Sequence, residues 1–206
     1  ACRDQVSEMG ENICPYCGIP LGTGNLICPE CQELKPAYLS LRSCAIYNGP
    51  IREAIHRLKY KGDFGLADTL SEFLIKEIAD LKWDIDMIIP VPLSSGRKDE
   101  RGYNQAALIG FPIGLFFNYA YRPNGLKRIR ETISQVGLSR EERLINVKNA
   151  FEADPKVVAG KSILVVDDVC TTGSTIRACA EALVSAGAAA VYAITVARAI
   201  PGYTDK

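Results

Sequence analysis

The chain has 206 residues, 24 basic and 24 acidic, with a formal net charge of zero and an apolar fraction of 48%. That length and composition suit one α/β domain with a small appendage, and they exclude a strongly basic nucleic-acid binder, although local basic patches are compatible with a zero sum. Every apolar run is far shorter than a membrane span and the first residues lack the apolar core of a signal peptide, so a cytoplasmic protein without a membrane span is expected.

The first recognisable unit is Cys14-Pro-Tyr-Cys17 followed by Cys28-Pro-Glu-Cys31. Each pair places two thiolates on one tight turn, and two such turns supply the four ligands of a tetrahedral zinc ion. Two disulfides or a thioredoxin-like redox pair are the alternatives. The duplicated Cys-Pro-x-Cys pattern and a cytoplasmic setting oppose both. A closed set of four thiolates leaves no open coordination position, so the zinc would be structural, and its binding would supply most of the folding free energy of so small a segment. Cys44, in an expected strand from Leu41 to Tyr47, and Cys179, in an expected helix, read as small core residues.

Pro50 precedes Ile51, Ala54, Ile55 and Leu58, which recur at helical spacing. That helix is expected to run into a basic turn, Lys59-Tyr-Lys61-Gly-Asp63. A second amphipathic helix follows, with Leu66, Leu70, Phe73, Leu74, Ile78 and Leu81 on one face. Asp86 to Pro92 reads as a short buried strand that opens onto a loop from Leu93 to Gln105. Ser94, Ser95 and Arg97 in that loop suit an anion: small residues let the backbone approach it, and arginine offers a fork of donors. A solvated surface loop is the plain alternative.

From Arg122 to Phe151 the chain is basic and weakly periodic until Ser139 and Glu142, which form a capping box for a helix through Asn149. The basic part reads either as a flap over a polyanion or as a surface connector.

The most informative stretch is Ile163 to Thr175. An apolar, largely β-branched run enters Asp167-Asp168, then a loop of hydroxyl residues with one glycine, then an amphipathic helical pattern from Ile176. That order predicts a buried parallel strand, an acidic tip, a polar loop and a helix N-terminus. Thr171, Thr172, Gly173, Ser174 and Thr175 offer N–H and hydroxyl groups to a phosphate, while Asp167 and Asp168 can accept bonds from neighbouring ribose hydroxyls. Cys170 falls inside this expected loop, either as a spacer or as a reactive thiol. Simple helix capping explains one polar residue here and leaves the others without a reason.

This stretch resembles the ribose-5-phosphate loop of type I phosphoribosyltransferases, which bind phosphoribosyl pyrophosphate (PRPP). From about Ile13 to Ala199 the chain resembles the ComF-type competence proteins. The resemblance rests on the four-cysteine knuckle, Ile55-His-Arg-Leu-Lys-Tyr-Lys-Gly-Asp63, Ile89-Pro-Val-Pro-Leu-Ser94 and Arg101-Gly-Tyr-Asn-Gln105. It continues through Arg128-Ile-Arg-Glu-Thr-Ile-Ser-Gln135, Leu138-Ser-Arg, Arg143-Leu-Ile-Asn-Val147 and the Asp167-Asp168 loop. It implies a zinc knuckle or ribbon over 1–38 and an α/β phosphoribosyltransferase-like domain, a parallel sheet flanked by helices, over 39–206. It also implies PRPP carried with Mg²⁺ and a part in handling incoming single-stranded DNA.

Within that resemblance Ser94, Ser95 and Arg97 are expected to hold the pyrophosphate. Arg101, Arg128 and Arg130 would neutralise charge on the leaving group. One departure bears on activity. Purine-salvage relatives often have an acidic residue where Thr171 stands, and threonine cannot act as a base at neutral pH. With His56 as the single histidine, a histidine-centred acid–base mechanism has little material. A non-catalytic reading therefore stands beside the enzymatic one: a PRPP sensor or single-stranded-DNA-binding scaffold working with other DNA-uptake proteins, its knuckle and Arg57, Lys59 and Lys61 contacting phosphates.

Overall fold

The computed structural model describes residues 5–130 and 149–200. Among them, five strands form one parallel sheet in the order β1 (Ser40–Ile46), β7 (Ala190–Arg198), β6 (Ser162–Cys170), β2 (Met87–Pro90) and β3 (Ala120–Tyr121). Alternation along the strands sends side chains to two buried faces. Ile163, Val165, Val191 and Ala193 share one core with Ile176, Cys179 and Leu183 of helix α7 (Ser174–Ser185). Leu164, Val166, Ile194 and Val196 share the other with α2 (Gly49–Tyr60), α3 (Gly65–Leu81) and α5 (Gln105–Phe117). Burial on both faces explains why β6 is continuously apolar where a half-exposed strand would alternate.

From β2 the chain moves outward to β3, and from β6 it moves the other way to β7. The reversal leaves a crevice between the carboxyl ends of β2 and β6, the place where open parallel sheets bind ligands. Both expected anion-binding segments leave the sheet there.

The expected elements are present with instructive shifts. β6 continues past the two aspartates, pairing Asp167 with Thr195 and Cys170 with Arg198. Cys170 is therefore the buried end of a strand and lies outside the loop. The helix after it begins at Ser174, two residues earlier than the apolar pattern suggests. Helix α2 extends through Tyr60, so Lys59 belongs to its last turn and lies outside the expected basic turn.

The expected loop from Leu93 to Gln105 contains a short helix, α4 (Ser95–Arg101). Straight-chain charged residues from Arg97 to Arg101 favour helix, and Gly102 ends it. The basic stretch after Arg122 is tied at both ends: β4 (Leu126–Arg128) pairs antiparallel with β5 (Phe151–Ala153), which runs into the short helix α6 (Pro155–Val158). Arg128 thus stands in a strand, with its guanidinium 5.5 Å from the Phe151 ring centroid. The Ser139–Glu142 capping box, Leu138-Ser-Arg, Arg143–Val147 and Glu131–Gln135 lie outside the described residues.

The cysteine knuckle, which includes the short helix α1 (Pro29–Glu33), docks directly on the sheet. Leu41 N–H donates to the Tyr16 carbonyl at 2.7 Å, and Ser40 Oγ and Arg42 Nη1 both donate to the Pro15 carbonyl. Gly18 is dictated by that contact. Its φ is +69°, and a β-carbon there would meet the Leu41 carbonyl oxygen at 2.6 Å.

Candidate functional site

Two groups of chemistry-bearing residues stand apart in the fold. The first is the knuckle. The sulfurs of Cys14, Cys17, Cys28 and Cys31 all lie within 4.8 Å of one another, and all four residues are buried. Cys17 and Cys28 sulfurs are 3.6 Å apart, close to the ~3.8 Å edge of a tetrahedron with zinc–sulfur bonds near 2.3 Å. The donor set and its spacing fit zinc. Burial opposes ionisation at Cys14, but N–H groups of Cys28, Cys17 and Tyr16 outweigh it and hold that thiol down at about 7.

The second group lies at the carboxyl end of β6. Gly173, at φ +80°, takes the left-handed turn that swings the chain from strand into α7. At the helix start Thr172 Oγ1 accepts the Ser174 N–H at 3.4 Å, and the Thr172 and Ser174 hydroxyls bond one another. Thr171 is exposed, Thr172, Gly173 and Thr175 are half-buried, and Ser174 is buried beneath them. A 12-residue helix that begins in a glycine turn lined by hydroxyls is an anion-binding arrangement.

Asp167 and Asp168 stand just before this turn in unlike surroundings. Asp168 is 3% exposed. Its carboxylate is closed upon by the Lys59 ammonium from α2, while Gln105 Nε2 from the start of α5 donates to it at 3.4 Å. Asp167 is half-buried and accepts the Asp168 backbone N–H at 2.9 Å. Burial and the neighbouring Asp168 charge push the Asp167 carboxyl well above the usual carboxylate range. Burial acts the same way on Asp168, but the Lys59 charge outweighs it and leaves Asp168 below that range. Burial likewise works against the Lys59 charge, and Asp168 reverses the sign, so this lysine stays protonated more firmly than a free one.

The Arg101-Gly-Tyr-Asn-Gln105 motif fastens this corner. Arg101 donates to Gln105 Oε1 at 3.0 Å and to the Tyr60 hydroxyl at 3.2 Å, with its guanidinium 4.8 Å from the Tyr60 ring centroid. The Tyr103 hydroxyl donates to the Leu58 carbonyl. Asn104 Nδ2 donates to the Val91 carbonyl at 2.9 Å, and its Oδ1 caps α5 by accepting from Ala106 N–H at 3.0 Å. One chain of contacts therefore runs Lys59, Asp168, Gln105, Arg101, Tyr60.

Of the expected site residues, Asp167, Asp168, Lys59 and Arg101 come together, with the Thr171–Thr175 turn adjoining them in the chain. Ser94 stands at the N-cap position of the short helix α4 with an extended backbone and no capping bond from its side chain, and Arg97 is exposed on that helix. Arg130 is exposed beyond β4. Lys61 is exposed just past α2, 3.8 Å from Glu53. His56 is exposed, its ring 4.9 Å from that of Tyr60. Gln105 and Tyr60 belong to the site, although their sequence context does not point there. The inward turn of Lys59 does carry a signal: it follows buried Ile55 by four residues, which puts both on one helix face.

Three comparisons bear on this arrangement. The sequence model of the phosphoribosyl transferase domain matches residues 122–206. The chain is 35% identical over 196 residues to DNA utilization protein YhgH of Salmonella typhi, covering 93% of this chain and 84% of that protein. It is 30% identical over 205 residues to competence protein F of Haemophilus influenzae, covering 96% and 89%. Among solved structures it is similar to an allosteric regulatory enzyme of purine biosynthesis at 24% identity and a TM-score of 0.42, covering 63% of this chain and 26% of that one.

Proposed function

Since this chain belongs to the family of competence protein F and DNA utilization protein YhgH and carries a phosphoribosyl transferase domain, we propose that it binds PRPP with Mg²⁺ at the β6–α7 turn and serves DNA uptake in the cytoplasm. The observation that carries the reading is the Asp167–Asp168 tip of β6, braced by Lys59, leading straight through the left-handed Gly173 turn into the start of α7.

In this reading the Thr171–Thr175 turn holds the 5-phosphate. Asp167 accepts bonds from the ribose hydroxyls, and Asp168, 3% exposed and closed upon by Lys59, braces the tip beneath it. Lys59 and Gln105 fix the Asp168 carboxylate so that its orientation is set before ligand arrives. Ser94, Ser95 and Arg97 take the pyrophosphate. Arg101, Arg128 and Arg130 stabilise charge that develops as pyrophosphate leaves, should a phosphoribosyl group be transferred. With Asp168 engaged by lysine, the tip offers one half-buried carboxylate. That donor set suits Mg²⁺ carried mainly by the substrate's oxygens better than an all-protein cage. The four-cysteine knuckle holds structural Zn²⁺.

Calorimetry with PRPP and Mg²⁺ tests the site. Asp167→Ala combined with Asp168→Ala should weaken binding by about two orders of magnitude. A folded double variant that binds within a few-fold of the parent would put the ligand elsewhere. Pyrophosphate release on adding candidate acceptors then separates transferase from sensor.

A second reading has its own support. Tyr60 and Phe64 are 57% and 53% exposed beside Arg57 and Lys61, and exposed rings interleaved with basic residues suit a single strand whose bases stack. In that role the protein is a DNA-contacting scaffold for other uptake proteins. Lys59, committed to Asp168, is no part of that surface.

A further inference from the structure

Arg198 closes β7 and is 3% exposed. A guanidinium so deeply buried needs a counter-charge, because desolvating an unpaired ion costs several kcal/mol. Among the described residues no carboxylate forms an ion pair with it. Its hydrogen bond instead goes from Nη1 to the Cys17 carbonyl at 2.7 Å, and a carbonyl is neutral. Its charge is felt at the Cys17 and Cys170 sulfurs. Four thiolates around one divalent ion carry a net charge of about −2. The knuckle bears no lysine or arginine between Cys14 and Cys31 to balance it.

We propose that Arg198 is the built-in counter-cation of the four-cysteine metal site, positioning Cys17 through its carbonyl and balancing the thiolates from the sheet. The two burial problems answer each other: among the described residues no carboxylate pairs with the cation, and the segment that bears the thiolates has no cation of its own. The sheet supplies it, with Arg42 on the Pro15 carbonyl as the more exposed second guanidinium. The inference rests on the knuckle holding zinc. It goes further by making the phosphoribosyltransferase-like sheet part of the metal site's outer shell, where losing a partner typically costs ten- to a hundredfold in affinity.

A second buried arginine supplies the control. Arg177 of α7 is 7% exposed and donates through Nη1 to the Leu34 carbonyl, just past α1, at 3.2 Å. It ties the knuckle to the domain as Arg198 does, but at a residue that follows the last cysteine.

The experiment measures zinc transfer from the full chain to a colorimetric chelator at fixed pH, for the parent and for R198M, R198K and R177M. Zinc content of the parent is established first: a parent purified without zinc that takes none up would overturn the metal site itself. Given a zinc-loaded parent, R198M should release the metal at least about tenfold more readily. R198K, which keeps the charge, should stay within about threefold, and so should R177M. Equal loss in R198M and R177M would reduce Arg198 to a tether, and unchanged release from R198M would remove it from the site. If R198M does not fold, R198K decides: zinc held within about threefold supports the charge role, and a tenfold loss overturns it.

Discussion

The Lys59 ammonium, from the last turn of α2, closes on the Asp168 carboxylate at the tip of β6, with the two side chains 17% and 5% exposed. This is a buried ion pair between elements more than a hundred residues apart. Removing one partner of such a pair leaves an uncompensated buried charge, worth about 3–5 kcal/mol of destabilisation, whereas removing both is far milder. Lys59→Met should therefore destabilise strongly, and Lys59→Met with Asp168→Asn should recover much of the loss. Urea denaturation of the four proteins in the cycle measures this. Simple additivity of the two substitutions would mean that the pair is not coupled.

The unlike aspartates set opposite pH dependences. A carboxyl of the unfolded chain titrates near ~3.9. Asp167 has a raised folded value, so between those two values the folded state holds the extra proton and rising pH removes stability. Asp168 has a depressed folded value, so its contribution is present above ~3.9 and is lost as pH falls through the folded value. Asp167→Asn deletes the first dependence and, by changing the bond to Asp168, weakens the second. It should make the protein more stable at pH 8, by an amount that shrinks toward pH 4, while weakening PRPP binding. Chemical denaturation at the two pH values tests it; a variant less stable than the parent at pH 8 would contradict the assigned direction.

The knuckle should carry about one zinc per chain. Cys14→Ser with Cys17→Ser should abolish metal binding and loosen the 14–31 segment first, read as early proteolysis or amide exchange there. Unchanged protection in a zinc-free variant would show that the segment does not depend on metal.

If single strands bind near α2, affinity should fall as salt rises. Arg57→Ala with Lys61→Ala should reduce the magnitude of the log–log salt slope by roughly 1.4, about 0.7 for each phosphate that is no longer neutralised. Arg57 already pairs with Asp63, and Lys61 lies 3.8 Å from Glu53, but exposed pairs of this kind are weak and readily exchanged. Loss of PRPP binding with unaltered DNA affinity would move both residues to the sugar-phosphate site.

Legible in the sequence is what depends on neighbours in the chain. The β6 strand, the turn at Gly173 and the helix behind it follow from consecutive residues, as do the two cysteine turns. Lys59 is half legible: its spacing from Ile55 points inward, yet nothing local says that Asp168 waits there. The β4–β5 pair leaves no signal because Leu126 meets Ala153 across a long intervening stretch, and three-residue strands carry too little periodicity to announce themselves. Helix α4 reads as loop in the sequence because its charged residues show no apolar face. Arg198 is illegible as a partner of Cys17, since only the parallel sheet brings the ends of the described chain together.

That closure has a consequence for synthesis. β1 pairs with β7, Ser40 opposite Tyr192, so β1 finds its sheet partner only after about 150 further residues have been translated, roughly 8–30 s at ~5–20 residues per second. The four cysteines leave the ribosome well before then. They can capture metal and fold as a nascent unit while β1 still lacks its partner, and its open edge is exposed to mispairing throughout that wait. The completed knuckle, docked at Leu41, would meanwhile shield part of the strand that β7 leaves uncovered, a chaperone-like service performed in cis.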